Sequence, residues 1–155
     1  MSDTYRKNVG IVVCKKGKVL LCARADQKDF QWQFPQGGLE KEEDFIEAGK
    51  RELFEETGIE NVKLITTISQ PIRYDFPKEL KYLPFRGQDQ YWVLFEFLGD
   101  DGEIRFDINP DCIEFKAFRW DIIDVAPNEI VYFKRDVYKK VVEVFKPFVE
   151  KINEQ

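Results

Sequence analysis

Apolar and polar positions alternate along this chain in short runs, broken by two stretches of helical period. Residues 9–14, Val-Gly-Ile-Val-Val-Cys, make an almost unbroken apolar run of strand length and predict a buried strand. Residues 15–18 read as a tight turn and 19–23 as a returning strand, so the two form a hairpin. Residues 30–39 mix aromatics with Pro and Gly and predict a loop or a short strand. Residues 43–56 hold no proline and predict a helix ended at Thr57-Gly58, with Gly58 as its C-terminal cap. Strands are expected over 62–69, 90–98 and 114–120, with a turn at 99–102 and a long loop carrying three prolines over 71–87. Residues 130–152 repeat apolar side chains at Phe133, Val137, Val141, Val144, Phe145 and Phe148, the period of an amphipathic helix that Pro147 should kink or shorten. Strands, a helix, more strands and a closing helix predict an α/β sandwich, not a doubly wound parallel sheet.

No repeat or linker divides the sequence, so its 155 residues are expected to form one domain, 1–155. With 43% hydrophobic and 15% aromatic residues the chain can fill a core. Both Trp32 and Trp92 are read as part of it. The longest apolar run is too short to cross a bilayer, and residues 1–7 hold no apolar stretch of a signal peptide. Cys14, Cys22 and Cys112 are read as buried, reduced thiols, and together these features predict a cytoplasmic protein without a membrane partner. Nothing in the pattern signals an oligomeric state.

Charge and one absence narrow the chemistry. Lys and Arg total 24 against 29 Asp and Glu, a net charge of −5, which excludes coating nucleic acid by charge alone. A few phosphates could still be gripped by local cations. The chain has no histidine, which excludes Ser-His-Asp triads, Cys-His pairs and His-ligated zinc. Acid–base work must fall to carboxylates, Lys, Tyr or Cys. At about 100° per residue, Glu52, Glu55 and Glu56 share one helix face near its C-terminal end, where the helix dipole disfavours negative charge. The pattern alone leaves two readings open: a solvated acidic face, or an all-oxygen site for a hard cation such as Mg²⁺ or Mn²⁺.

The run Gly37-x5-Glu43-x7-Arg51-Glu52-Leu53-Phe54-Glu55-Glu56-Thr57-Gly58-Ile59 fills every fixed position of a Nudix box and resembles the Nudix hydrolases. Further matches lie at residues 5–10, 32–38, 74–77, 87–92, 114–115 and 133–138. They resemble one subgroup, the bacterial RNA pyrophosphohydrolases and asymmetric diadenosine tetraphosphate hydrolases. Lys7 departs from the proline common there, and a looser start to the first strand is expected. The resemblance implies the Nudix fold, an α/β/α sandwich around a mixed β-sheet. It also implies hydrolysis of 5′-polyphosphorylated nucleosides with Mg²⁺ or Mn²⁺, acting on an RNA 5′ end or a dinucleoside polyphosphate.

By the same resemblance Gly37 (through its carbonyl), Glu52, Glu55, Glu56 and Glu114 hold metal. Glu56 is the first candidate for general base and Glu114 the second. Arg51, Gly58 and Glu43 are structural; on a helical wheel Glu43 falls opposite Glu52 and would pair with Arg51 or the loop. Arg6, Arg24 and Lys134 are candidates for phosphate or base contacts, Tyr74 and Phe133 for stacking on a purine. Gln88 and Gln90 would present both amides to the cleft. Two other readings are a nucleotide-binding regulator that kept the fold without catalysis, and an enzyme that sanitises oxidised nucleotides.

Overall fold

The apolar run at residues 9–14 becomes the centre of a seven-stranded mixed sheet in the computed structural model, which describes residues 4–153. The ends of the expected domain, and with them the start of the segment read for a signal peptide, lie outside the described residues. β1 (Tyr5–Lys15) runs parallel to β6 (Gly87–Phe97), and β5 (Val62–Asp75) lies antiparallel to β6 as an outer strand. β2 (Lys18–Arg24) forms the expected hairpin with β1, but the two are paired only at Cys14–Val19 and Lys15–Lys18. Beyond that point they diverge. β3 (Trp32–Gln33) takes the freed edge of β2, and β4 (Gln36–Gly38) takes the freed edge of β1, so residues 32–38 wedge the fork between them. β7 (Phe115–Asp121) pairs with the other edge of β2.

Alternation along β1 sorts side chains onto two faces. Val9, Ile11 and Val13 join Ala48 and Leu53 of α1 (Phe45–Thr57), while Val12 and Cys14 face the other way. After the short α2 (Ala126–Glu129), α3 (Arg135–Asn153) covers that second face with Val137, Val141, Phe145 and Val149 against Leu21, Trp92 and Leu94. Truncating a buried aromatic such as Phe145 costs about 3–5 kcal/mol in a core of this kind. The result is the expected α/β/α sandwich. No helix among the described residues is long and apolar enough to cross a membrane.

Several boundaries differ from the sequence reading, each for a local reason. α1 starts two residues late because the Asp44 carboxylate caps it, accepting the Glu47 N–H at 2.8 Å. β5 runs on through Pro71 to Asp75, where a loop was expected. It is an outer strand, and an irregularity between Ile68 and Ile72 absorbs the proline's missing N–H. α3 starts at Arg135, after a 3₁₀ turn over Tyr132–Lys134. It is not cut short at Pro147, which is exposed and frees the Glu143 carbonyl on the solvent side. β1 is paired from Tyr5 onward, so Lys7 loosens nothing. Trp92 is core, whereas Trp32 is only partly covered.

The wedge at 32–38 is tied to α3 by one buried bond, the Phe34 N–H donating to the Tyr138 hydroxyl at 2.9 Å. Tyr138→Phe strands that N–H and is expected to cost about 1–2 kcal/mol in urea unfolding; an unchanged midpoint would show that the tie contributes nothing.

Candidate active site

β4 passes the C-terminal half of α1 at very short range. The pairs Val9–Gly37 and Asn8–Gly38 hold the strand, and a Cβ at Gly37 would run into the Glu52 carboxyl group. Only glycine lets a helix carboxylate lie against strand backbone here. Arg51 organises the surrounding charge. Its Nε and Nη2 form a fork on Glu43, both bonds 2.9 Å, and Nη2 also donates to the Gly38 carbonyl at 3.0 Å. Nη1 donates to Glu52 at 2.9 Å and to Glu55 at 3.4 Å, so all five guanidinium protons are engaged. The guanidinium, with the Glu40 N–H, lowers the Glu43 pKa to about 2. Glu43 sits in the turn before α1, so the helical-wheel argument does not apply to it, although it does pair with Arg51.

Glu56 adjoins this network through Glu52, without a bond to Arg51 of its own among the described contacts. It is 7% exposed, and burial, then the adjoining Glu52, then Glu114 push its carboxyl well above the usual range, while the Gln36 N–H acts the other way. Glu55 is half-exposed at the helix surface. Glu114 immediately precedes β7, its carbonyl held by the Ala25 N–H at 2.8 Å. The Cys112 thiol donates to its carboxylate at 3.4 Å. Cys112 is therefore exposed and beside the acidic cluster, not buried; Cys14 and Cys22 are buried, and all three are free thiols.

Next to the carboxylates a cleft of about 380 Å³ opens among β5, the wedge and the start of α3. Arg24, Gln33, Tyr74, Gln88, Phe133 and Lys134 line it. Tyr74 is buried as a wall, its hydroxyl donating to Gln88, with the Phe133 ring 6.3 Å away. Arg24 forks onto Asp26 at 2.9 and 2.7 Å and donates a third bond to Gln33. Lys134 is 9% exposed and has no carboxylate among its described partners; its ammonium donates to Gln36 Oε1 at 3.2 Å. Burial, then Arg24, push its pKa down to about 8.

Two expected substrate contacts do not line the cleft. Gln90 is 1% exposed, its amide turned inward to Asn8 at 2.7 Å and Gln36 at 2.9 Å, because β6 is the sheet's interior strand at this point. The exposed Arg6 lies over Gly38, on the sheet face opposite the one where Glu52 meets Gly37, and does not line the cleft. Conversely, Trp32 and Gln36 line the cleft, a role not assigned to them from sequence although both lie in the Trp-Gln-Phe-Pro-Gln-Gly-Gly run.

This box of helix carboxylates, wedge glycines and adjoining cleft sits within residues 4–141, which match the NUDIX domain, and the chain belongs to the Nudix family. Its likeness inside that family can be placed more narrowly. It is 42% identical over 151 residues to the RNA pyrophosphohydrolase of Caulobacter vibrioides (strain NA1000 / CB15N), covering 93% of this chain and 87% of that one. It is also 42% identical over 146 residues to the RNA pyrophosphohydrolase of Pelagibacter ubique, covering 91% of each. The solved E. coli dihydroneopterin triphosphate pyrophosphohydrolase superposes with a TM-score of 0.65 over 91% of this chain and 99% of its own, at 20% identity, a likeness of fold alone.

Nudix hydrolases generally use divalent metals, and the donor chemistry here fits them. The donors are all oxygen, Gly37 presents bare backbone to Glu52, and Glu56 is buried among like charges. Among the described residues no three acidic or cysteine side chains converge tightly enough to hold an ion as they stand, so a cation would compete with Arg51 for Glu52 and Glu55. A carboxyl raised by folding costs nothing below its ordinary value of 4.5 and destabilises progressively as pH climbs above it. Glu56→Gln should therefore raise the melting temperature of the protein in EDTA at about pH 7.5, by about 2–4 °C per kcal/mol relieved, and leave it unchanged near pH 4. Calorimetric melts at the two pH values check this; a gain of equal size at both would place the relief elsewhere.

Proposed function

We propose that this chain is a cytoplasmic pyrophosphohydrolase that removes pyrophosphate from the 5′-triphosphate end of RNA, with Mg²⁺ or Mn²⁺ as cofactor. One contact set carries the reading. The Gln36 N–H faces Glu56 while its side chain holds Lys134, so the acidic cluster and the nucleoside-sized cleft are joined through a single residue. The activity named for the relatives at 42% identity supports the RNA end as substrate.

Glu52, Glu55, Glu56, Glu114 and the Gly37 carbonyl would hold the ions. A hard dication bound there neutralises phosphate oxygens and lowers the pKa of bound water. The rest falls to side chains of this chain. Glu56, a strong base because of its burial, takes the proton as a water oxygen bonds to phosphorus and the bridging P–O bond breaks. Lys134, lacking a carboxylate among its described partners, is an unneutralised donor for phosphate, and the exposed Arg6, over Gly38, serves the outer phosphates. Phe133 offers a ring face to the first base, with Tyr74 and Gln88 as the wall behind it and Arg24 alongside.

Glu56→Gln is expected to lower pyrophosphate release from triphosphorylated RNA by about 10²–10⁴-fold, with excess EDTA abolishing the wild-type rate. Run beside it, diadenosine tetraphosphate should show the lower kcat/KM; equal values for the two would remove the preference for RNA. An inert wild type that still binds nucleotide would leave the regulator reading standing. Lys134 loses its charge as pH rises through about 8, so kcat/KM should fall over that range. In Lys134→Met the value should start lower and lose this alkaline limb; a limb that survives belongs to another group.

A further inference from the structure

The cleft holds about 380 Å³, at the small end for ligand pockets and room for about one nucleoside. An RNA whose 5′ end enters it must lay its following nucleotides outside. On that outside, at the rim, Trp32 lines the cleft and Phe30 stacks on it, ring centroids 5.8 Å apart and planes within 15°. Phe30 is 61% exposed, so its ring is not held there by core burial. It is nonetheless well positioned. The Lys116 ammonium sits 4.9 Å from the Phe30 ring centre and donates to the carbonyls of Gln27 and Lys28 at 2.6 and 3.2 Å, pinning the loop that carries the ring. The Arg119 guanidinium lies 4.7 Å from the Trp32 ring centre, while most of the Phe30 ring stays open to solvent.

We propose that the Phe30–Trp32 stack is a platform for an unpaired base of the RNA, downstream of the nucleotide in the cleft, with Lys116 beside that nucleotide's phosphate. The reading rests on the RNA end as substrate. Every base has a π-face, so such a platform takes single strands without regard to sequence, whereas a base in a duplex is already stacked. An ammonium has three donors, and two of Lys116's are accounted for by carbonyls. At a net charge of −5 the chain has little long-range pull on phosphate, so grip on the downstream nucleotides must come from short-range contacts, stacking chief among them.

The test uses the full chain and the variants Phe30→Ala and Phe30→Trp, with a triphosphorylated dinucleotide and a triphosphorylated unpaired octanucleotide. Binding of a labelled 5′-monophosphorylated octanucleotide is followed in parallel by fluorescence anisotropy. Phe30→Ala should lose about tenfold in kcat/KM and in affinity on the octanucleotide while changing less than about twofold on the dinucleotide, and Phe30→Trp should retain both. Equal losses at both lengths, or no loss of octanucleotide affinity, overturn the platform. So does a change of mass in light scattering with RNA binding intact, which would make this face a contact between copies of the chain. If the wild type hydrolyses neither RNA yet Phe30→Ala still loses octanucleotide affinity tenfold, the RNA-end activity falls and the platform stands.

Discussion

The guanidinium of Arg51 holds the turn before α1, the backbone of β4 and two carboxylates of α1 in one fixed relation. Without that positive centre, Glu52 and Glu55 would repel each other across the end of a helix whose dipole already disfavours them. The bonds to the shielded Glu43 and Glu52 contribute about 1.5–3 kcal/mol each, enough to fix the loop ahead of the helix, and the longer one to the half-exposed Glu55 contributes less. Glu56 has no bond to Arg51 among the described contacts. The difference in surroundings sets Glu43, which the guanidinium holds as an anion, against Glu56, which burial makes resist ionising.

The sheet supplies the other half of the geometry. Because β1 and β2 part after two paired positions, a fork opens in what would otherwise be a continuous sheet, and residues 32–38 fill it. The wedge therefore has the acidic end of α1 beside it and the cleft at its side, with the Tyr138 hydroxyl anchoring it to the opposite layer. A sandwich with fully paired central strands would have no place for such an inserted segment.

Much of this was legible beforehand because it follows from local rules. The strand at residues 9–14, the Gly58 cap and the amphipathic period of α3 each depend on side chains close in sequence, and the box spacing placed Glu52, Glu55 and Glu56 on one face. The misreadings came from tertiary context. Pro71 looked like a loop residue because nothing local says that β5 will be an outer strand with an irregularity to accommodate it. Gln90 looked like a cleft residue because alternation gives a face but not what covers it. Cys112 and Trp32 were read by average residue habits, and the acidic cluster beside one and the fork beneath the other changed their surroundings.

Gln36 serves two masters within a single residue: its backbone N–H addresses Glu56, and its side-chain amide oxygen receives both Lys134 and Gln90. A change of side chain there alters what the pocket recognises, and a change of backbone alters the base, so the two traits are inherited together. Divergence toward new ligands has freer scope at the mouth, where side chains such as Phe30 answer to no buried partner.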